Sequence, residues 1–498
     1  MKRRPNIILI QSDSQDGRML GCLGHPALRQ ATVNLDRMAE EGVLFQNTYA
    51  SSFVCVPSRA SMWSGLYTHH CQGWNNYKGL EPETPTFINH LAAAGYRTAI
   101  FGRTDHLSGR HTVRARVSAW TRSACILRPN YRMLPPQHLS EENPRPHLRD
   151  WQHVEKSLAW LAENRHRDTP FFLYLGFSAP HPPFVASSYY LKKIDQQAVD
   201  IPAADDNQHP ALVYQRVCKN WQHGFSQEMV RKVRTTYLAM VSEVDAMVGF
   251  FRQQLKELGL ADSTVVIFTS DHGELAMEHQ QYYKMSPYEG SSRVPLLLCG
   301  PGLPRGTLIQ QPVSLIDIFP TLLALAEAPV ATYLDGHSLL PLTRGKIEAY
   351  PDYVLAECHD SSLCTGCFLL RQGDWKYVVY AGLQPQLFHL KEDPGELQNL
   401  VEKKPSLAAE MEKKLRALVN YLEVDRQVKD YDRESFARWR QEQLAQGTYY
   451  ETMSRIFSGW DYLSEEEIQP WTGEDEARIE VWLKGKDGDG CQHSGEKS

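Results

Sequence analysis

The residues best suited to chemistry lie in the segment Cys55-Val56-Pro57-Ser58-Arg59. Pro57 lacks a backbone N–H and is typical of the first turn of a helix. The free amides at such a helix start attract anions, and Arg59 could bind an oxyanion through two parallel donors. The spacing therefore predicts an anion site with the Cys55 thiol at its mouth. The alternative is a buried cysteine that precedes a helix started by proline.

Three further polar positions follow strand-like runs. Asp13 follows the first run, His181 the second, and Asp271-His272 the third; the runs are residues 6–11, 171–177 and 264–269. Ligands of α/β proteins bind beyond the carboxyl ends of the strands. We therefore expect these side chains to converge on one site, although each could also be an ordinary polar strand end or loop residue.

Strand-like and helix-like runs alternate through most of the chain. Helical periodicity marks residues 33–41, 151–163 and 229–258, and another short strand is predicted at residues 97–101. This alternation predicts an α/β fold with a large, mostly parallel central sheet and helices on both faces. After about residue 345 short strands and then helices are predicted, so we expect a catalytic domain over residues 1–345. A smaller α+β domain with a short antiparallel sheet would cover residues 346–498, ending in a polar tail from Lys484.

Composition excludes several classes of protein. The chain has 498 residues, of which 42% are hydrophobic and 22% charged, and its net charge is −6. A globular protein fits these values, whereas nucleic acid is not expected as a partner. No apolar run reaches the roughly 20 residues that cross a bilayer, so no membrane partner is expected. The basic start before residues 6–10 lacks a cleavage site, which predicts a cytoplasmic location. A lysosomal or exported form with its leader removed is the alternative.

One cysteine pair has C-x-x-C spacing, Cys364-Thr365-Gly366-Cys367. No second pair completes a zinc site. We expect either two free thiols or a local disulfide.

With these landmarks in order, the chain resembles the type I sulfatases, whose C-x-P-x-R cysteine is oxidised to formylglycine. The supporting segments are residues 5–10 leading to Asp13, 55–65, 95–98 before Gly102, 180–182, 268–273, 313–322, 387–390 and 393–396. The resemblance implies an alkaline-phosphatase-like sandwich with a small C-terminal domain. It also implies that a formylglycine-generating or equivalent maturation enzyme converts Cys55.

The family mechanism assigns roles to matching positions. The hydrate of formylglycine carries two hydroxyls: one attacks sulfur and expels the alcohol, and the other then releases sulfate. One Ca²⁺ ion would be bound by Asp13, Asp271, His272 and the converted Cys55. His181 matches the residue that protonates the leaving alkoxide, and Lys284 matches a lysine that contacts sulfate.

Two departures from the family pattern concern the catalytic residues. Many relatives have two adjacent aspartates where this chain has Asp13-Ser14, so the metal site loses one negative charge. Many also have Gly-Lys-x-His where this chain has Gly102-Arg103-Thr104-Asp105. Arg103 keeps the positive charge but is no proton donor. His106 or His111 could supply the base that the family histidine provides, and the sequence does not choose between them.

Several stretches are most similar to a subgroup that acts on 2-O-sulfated glucuronate. They are residues 12–14, 74–80, 119–122 and 273–279. The predicted substrate is thus a 2-O-sulfated uronate in a glycosaminoglycan fragment. Lys78 is the candidate for its carboxylate, and Trp74 or Tyr77 for the sugar face, unless these aromatics belong to the core. The alternatives are a phosphonate monoester or phosphodiester hydrolase of the same fold, and a non-catalytic protein that binds sulfated glycans.

Overall fold

A seven-stranded sheet forms the centre of the molecule. The computed structural model describes residues 4–109, 111–126, 136–140, 142–205, 208–219, 221, 224–360, 363–458 and 468–485. The strands of all the sheets in the described chain are β1 (Asn6–Ser12), β2 (Val43–Phe45), β3 (Thr48–Tyr49), β4 (Arg97–Gly102), β5 (Gln137–Leu139), β6 (Phe171–Gly176), β7 (Val185–Ser187), β8 (Thr264–Ser270), β9 (Arg293–Val294), β10 (Leu296–Cys299), β11 (Thr307–Ile309), β12 (Val313–Ser314), β13 (Tyr353–Cys358), β14 (Cys367–Gln372), β15 (Trp375–Tyr380) and β16 (Gln386–His389). The central order is β11-β2-β10-β8-β1-β6-β4, and only β10 runs against its neighbours.

Helices cover both faces of this sheet. The α-helices of the described chain are α1 (Val33–Glu41), α2 (Cys55–Ser64), α3 (Thr68–Cys71), α4 (Phe87–Ala93), α5 (Val113–Trp120), α6 (Leu148–Asn164), α7 (Ser188–Leu191), α8 (Pro210–Cys218), α9 (Gln227–Glu257), α10 (Glu289–Ser292), α11 (Ile318–Leu325), α12 (Pro405–Leu418), α13 (Tyr421–Ala445), α14 (Tyr449–Ser458) and α15 (Gly473–Leu483). Ile7 and Leu9 of β1 pack with α2, α4 and α11, while Ile8 and Ile10 pack with α1, α6 and α9. A strand that is apolar on both faces suits a buried parallel sheet, and the predicted α/β sandwich is confirmed.

Strand register places the two predicted metal carboxylates side by side. In the parallel pair of β1 and β8, Ser12 is opposite Ser270. Asp13 and Asp271 are therefore the next residues of adjacent strands, and both leave the sheet at its carboxyl edge. The same edge contains Gly102, the last residue of β4, followed by Arg103. A Cβ at Gly102 would lie 1.9 Å from the carbonyl oxygen of Gly176, and its φ is +81°, so this close approach requires glycine.

The second sheet is antiparallel, in the order β13-β14-β15-β16. One face packs against α12 through Met411 and Leu415, and the other meets Phe53 and Val54, just before α2. The sheet therefore supports the start of the helix that carries Cys55. The predicted order of short strands followed by helices after about residue 345, and the short antiparallel sheet, are confirmed by β13–β16 and the helices that follow them. The domain boundary at residue 345 stays a prediction, and residues 486–498 of the predicted tail lie outside the described residues.

The C-x-x-C pair does not bond to itself. Cys367 is a free thiol, whereas Cys364 takes part in a disulfide. Both predicted alternatives, two free thiols and a local disulfide, are therefore wrong.

In the described part of the chain no helix has the length and apolar character needed to cross a membrane.

Candidate active site

Cys55 is the first residue of α2 and is buried. Its Sγ lies 3.1 Å from Nε2 of His272. The backbone N–H of Val56 donates to Oδ1 of Asn76 at 3.2 Å, so a side chain from a later loop satisfies one free amide of the helix start. No local sequence pattern predicts this contact of Asn76, because twenty residues separate it from Val56.

The four predicted metal ligands come together. The ligand atoms of Asp13, Cys55, Asp271 and His272 all lie within 4.8 Å of one another, and all four residues are buried. Nδ1 of His272 lies 2.9 Å from the carbonyl oxygen of Gly273, to which it donates, and this bond leaves Nε2 facing the carboxylates. Such an outer hydrogen bond fixes the tautomer and orientation of a metal-binding histidine. The donor set fits a divalent cation.

Ser14, which stands where many relatives have a second aspartate, supports the same carboxylates. Its backbone N–H donates to Oδ1 of Asp271 at 3.2 Å, and its hydroxyl donates to Oδ1 of Asp13 at 3.3 Å. Its φ is +65°, a region that asparagine and aspartate also tolerate. At this position the neutral residue Ser14 therefore donates hydrogen bonds to both carboxylates, Asp13 and Asp271.

Arg59 has different partners from those expected. Its Nε donates to Asp271 at 2.8 Å, its Nη2 to Asp13 at 3.2 Å, and its Nη1 to the hydroxyl of Tyr174 at 3.0 Å. The fully buried guanidinium therefore binds the carboxylates instead of an open anion pocket. The prediction of an oxyanion grip by Arg59 is corrected, since one helical turn places this side chain beneath the site.

Cations dominate the electrostatics of Asp13. Burial alone would raise the pKa of Asp13, but Arg103 and Arg59 hold that pKa well below its usual range. Nη1 of Arg103 lies 2.8 Å from Oδ2 of the carboxylate. Asp13 is therefore ionised, as a metal ligand must be.

Arg103 also belongs to a chain of contacts that ends at His111. Its Nη2 donates to Oδ2 of Asp105 at 2.9 Å, and Nε2 of His111 lies 2.9 Å from the same oxygen. His106, by contrast, is nearly buried and stacks on Trp63 with ring centroids 3.9 Å apart. The structure thus places His111 at the site and His106 in the core. Asp105 contacts both Arg103 and His111, and its backbone has a φ of +46°.

Lys284 and His181 form the remaining wall. Nζ of Lys284 lies 2.7 Å from Nε2 of His181. Lys284 is 5% exposed. Burial would lower its pKa, yet Cys55, Asp13 and Asp271 raise it, so the ammonium is charged. Burial and the nearby ammonium both lower the pKa of His181.

Glu274 is a residue that sequence reasoning missed. Its buried carboxylate accepts from the backbone N–H of Ala276 at 3.1 Å and of Tyr283 at 2.5 Å. Because Tyr283 immediately precedes Lys284, Glu274 fixes the loop that presents the ammonium. The contact arises from loop geometry that spacing alone does not reveal.

The three predicted sugar contacts each pair with another side chain of the protein. Trp74 is buried in the core of the second sheet and meets His359 edge-on at 5.7 Å, so it cannot offer a face to a sugar. This prediction is wrong because packing against β14 and its neighbours fills the space around the indole. The ring of Tyr77 packs edge-on against Trp120 at 5.4 Å. Lys78 forms an ion pair with Glu81, and its role in binding a carboxylate stays a prediction.

A cavity of about 430 Å³ opens beside the reacting groups. Its lining includes Arg103, His181, His147 and Ser178. Nδ1 of His147 lies 2.6 Å from Oε2 of Glu243. Burial would lower the pKa of His147, but Glu243 raises it. The cavity therefore has two cationic groups on its wall, and its volume lies in the range of small-ligand sites.

Comparison with known proteins identifies the family of the chain that carries this site. The family model described as Sulfatase matches residues 5–328, a range that contains every ligand and cation of the site. The chain belongs to the sulfatase family. It is therefore a sulfuric ester hydrolase. The model described as N-sulphoglucosamine sulphohydrolase, C-terminal, matches residues 277–423, which include the second sheet of this sulfatase.

Individual relatives span almost the whole sulfatase chain. It is 37% identical to Arylsulfatase K of Canis lupus familiaris, over 96% of this chain and 93% of the relative. It is 39% identical to Arylsulfatase K of Homo sapiens, over 88% of this chain and 87% of the relative. Among solved structures, the phosphonate monoester hydrolase of Agrobacterium radiobacter is 25% identical and superimposes with a TM-score of 0.68, covering 83% of this chain and 95% of its own. These matches agree with the alkaline-phosphatase-like fold.

Proposed function

We propose that this sulfatase removes 2-O-sulfate from uronate residues of glycosaminoglycan fragments, using formylglycine at position 55 and one calcium ion. The observation that carries the proposal is the position of Cys55. It starts a helix and lies within 4.8 Å of the ligand atoms of two carboxylates and one imidazole. A nucleophile next to a divalent cation suits attack on a sulfate ester, whose oxygens need neutralising.

The donor set supports a cation at this point. Two carboxylates and one imidazole nitrogen would bind it, with the side chain at position 55 as the fourth ligand. When bound, a divalent ion supplies positive charge that polarises sulfate oxygens and lowers the pKa of a coordinated hydroxyl. Calcium favours oxygen ligands, whereas His272 contributes a nitrogen donor to this set. Because one ligand is nitrogen, a binding assay should compare calcium with other divalent metals.

The chain's own residues would bind the sulfate and move protons. Formylglycine, once hydrated, supplies one hydroxyl for attack and a second for release of sulfate. Arg103 and Lys284 flank position 55 and can donate to sulfate oxygens. Lys284 and His181 share a hydrogen bond through which a proton can reach the leaving alcohol. His111, oriented by Asp105, is the group we assign to accept a proton when sulfate is released.

The sugar specificity is supported by sequence and by charge. The chain resembles the subgroup that acts on 2-O-sulfated glucuronate, and the curated relatives above are named Arylsulfatase K. A uronate bears its carboxylate on the same ring as the 2-O-sulfate. The cavity beside His181 offers Arg103 and His147 to such a second negative charge.

Two measurements test the proposal together. Mass spectrometry of the peptide that contains Cys55, from protein produced with a maturation enzyme, should show a loss of about 18 Da. A panel of 2-O-, 4-O- and 6-O-sulfated disaccharides should give the highest kcat/KM for the 2-O-sulfated uronate. An unmodified thiol in an active preparation would refute the formylglycine step, and a preference for 6-O-sulfate would refute the assigned specificity.

The likeness to a phosphonate monoester hydrolase supports a second candidate, hydrolysis of phosphonate monoesters or phosphodiesters. The assay of matched 4-nitrophenyl sulfate and 4-nitrophenyl phenylphosphonate separates the two. Our proposal expects the sulfate ester to be preferred by at least about tenfold, because a sulfate monoester offers three free oxygens to Lys284, Arg103 and the cation, whereas a phosphonate monoester, with the same single charge, offers two and adds a carbon substituent. A protein that binds sulfated saccharides but turns over neither ester would be the non-catalytic alternative.

A further inference from the structure

His147 lies at the start of α6, in the wall of the cavity that also contains His181 and Arg103. The buried carboxylate of Glu243 on α9 accepts two hydrogen bonds from His147, one from its backbone N–H at 3.0 Å and one from Nδ1 at 2.6 Å. Trp151 donates to the same carboxylate through Nε1 at 3.0 Å. Three donors therefore fix the carboxylate of Glu243, and the carboxylate in turn fixes the imidazole ring of His147.

The other ring nitrogen of His147 is available to a ligand. In the part of the chain that the structure describes, Nε2 has no hydrogen-bond partner, and the side chain is 22% exposed. Because Nδ1 donates to Glu243, a neutral ring has a bare Nε2 that can only accept a hydrogen bond. A protonated ring has an Nε2–H that donates. The protonation state of His147 therefore decides whether this wall of the cavity binds or repels a carboxylate.

The charges near the start of α6 favour the protonated ring. Burial would lower the pKa of His147, but the hydrogen bond and charge of Glu243 raise it, and the charge of Asp150 adds to this effect. The side chains of two nearby arginines reach solvent, which screens their charges; they are Arg145 and Arg149. The ring therefore keeps its second proton to a higher pH than an ordinary histidine does.

The loop that leads to His181 is attached to the same helix start. The carboxylate of Asp150 accepts from the backbone N–H groups of residues 178 and 179 at 2.9 and 2.8 Å. This attachment keeps His147 and His181 in one cavity. Burial lowers the pKa of His181, so His181 adds no charge that would oppose a protonated His147. Arg103 is the permanent cation of the cavity wall.

We propose that His147, held by Glu243, binds the carboxylate of the reacting uronate and makes the preference for uronate depend on pH. The inference rests on the proposed function, because it takes a 2-O-sulfated uronate as the substrate. Carbons 2 and 5 lie across the sugar ring from each other, so the carboxylate needs a donor separate from the groups that bind the sulfate. Nε2 of the protonated ring is that donor, and Glu243 is a positioning residue that acts through His147.

The sign of the pH effect follows from the two charges. A uronate carboxylate is ionised above about pH 4, so at mildly acidic pH it meets a protonated His147. As the pH rises through the raised pKa of His147, Nε2 loses its proton and becomes an acceptor that faces a carboxylate. The preference for a uronate should therefore be largest at acidic pH and should fall as the pH rises.

Two sulfate esters that differ only at carbon 5 test this inference. They are the methyl glycosides of 2-O-sulfated glucuronate and of 2-O-sulfated glucose, in which a hydroxymethyl group replaces the carboxylate. The ratio of their kcat/KM values isolates the carboxylate, because the nucleophile, the cation and His111 act on both esters. In the matured wild-type enzyme this ratio should be at least about tenfold higher at about pH 5 than at about pH 9, the loss of one charge-assisted hydrogen bond.

Substitutions separate the two roles. His147→Gln keeps a donor for Glu243 but cannot take up a proton, so the ratio should be low and nearly constant with pH. Glu243→Gln removes the charge that raises the pKa of His147, so the fall in the ratio should move to lower pH. His166→Gln, at an exposed position after α6, is the matched control and should behave as the wild type does. Because the side chain of His147 is partly exposed, its variant keeps the test valid if the buried Glu243→Gln substitution impairs folding.

Each outcome assigns or removes one role. A wild-type ratio that is constant with pH, or a ratio that His147→Gln leaves unchanged, overturns the assignment of His147. A fall that stays at the same pH in folded Glu243→Gln overturns the positioning role of Glu243. Neither result affects the proposed function as long as the 2-O-sulfated uronate is hydrolysed. If the enzyme hydrolyses 4-nitrophenyl sulfate but not this uronate, the proposed function is refuted, and the assignment of His147 with it.

Discussion

The ammonium nitrogen of Lys284 lies 2.7 Å from Nε2 of His181, and Nδ1 of the same ring donates to the carbonyl oxygen of Pro182. The imidazole is thereby fixed as an acceptor towards Lys284. Burial and the adjacent ammonium both lower its pKa, so near neutral pH His181 is a neutral imidazole whose one proton is on Nδ1. We therefore propose that the proton for the leaving alcohol resides on Lys284, whose charged form the surrounding anions favour.

Lys284→Met should lower kcat for an alkyl sulfate such as a sulfated sugar by about 10²- to 10⁴-fold. The loss should be much smaller for 4-nitrophenyl sulfate, because 4-nitrophenolate leaves without a proton. Steady-state kinetics on both substrates measure the difference, with Lys413→Met as a surface control. Equal losses on the two substrates would assign Lys284 to sulfate binding alone.

The two candidate histidines should respond differently to alanine. His111→Ala should lower kcat by about 10²-fold, because the base for sulfate release is lost. His106→Ala should mainly reduce the melting temperature, since its ring stacks on Trp63 in the core. Parallel kcat and thermal-melting measurements compare them. A larger kcat loss in the folded His106 variant would reverse our assignment.

The pH profile tests the pairing of His111 with Asp105. Burial would lower the pKa of His111, but the hydrogen bond and charge of Asp105 raise it above its usual value. A base must be neutral, so the wild-type kcat should rise with pH through this raised pKa. Asp105→Asn removes the charge, lowers the pKa of His111 and should move the acidic limb to lower pH. Profiles of kcat from about pH 4 to about pH 9 show the shift; a limb that stays in place or moves upward contradicts the pairing.

Sequence reasoning predicted the sheet and the convergence of Asp13 with Asp271 because both depend on short, strongly apolar strands. Each strand ends at a residue that the pattern identifies, and parallel pairing then brings those ends together. The same reasoning failed for Trp74 and for the partners of Arg59. Whether an aromatic ring faces solvent or the core depends here on β14, nearly 300 residues later. The donors of Arg59 meet carboxylates from both strands, a contact that no local spacing encodes. The choice of His111 over His106 likewise depends on the backbone conformation of Asp105.

Ser14 offers a direct test of the metal site. Ser14→Asp adds a carboxylate beside Asp13, at a backbone conformation that aspartate tolerates. We expect calcium to bind about tenfold more tightly, because ligand charge is a main determinant of calcium affinity. Calorimetric titration of metal-stripped protein measures this. Ser14→Ala, which loses the bond to Asp13 without adding charge, is the control, and a Ser14→Asp protein that binds calcium no better than Ser14→Ala would argue against a cation at this position.

Arg59→Lys tests whether the buried guanidinium organises the metal carboxylates. Lysine keeps the charge but cannot donate at once to Asp13, Asp271 and Tyr174, so at least one buried oxygen loses its partner. Since breaking a buried charged pair costs about 3–5 kcal/mol, we expect the free energy of unfolding to fall by about 3 kcal/mol. Calcium affinity, measured below the melting temperature of the variant, should fall as well, because the two carboxylates are no longer held at a fixed separation. Arg426→Lys on the surface of α13, where the arginine also contacts two carboxylates, should change neither quantity. Unchanged calcium binding in a destabilised Arg59→Lys protein would show that the guanidinium stabilises the fold without shaping the metal site.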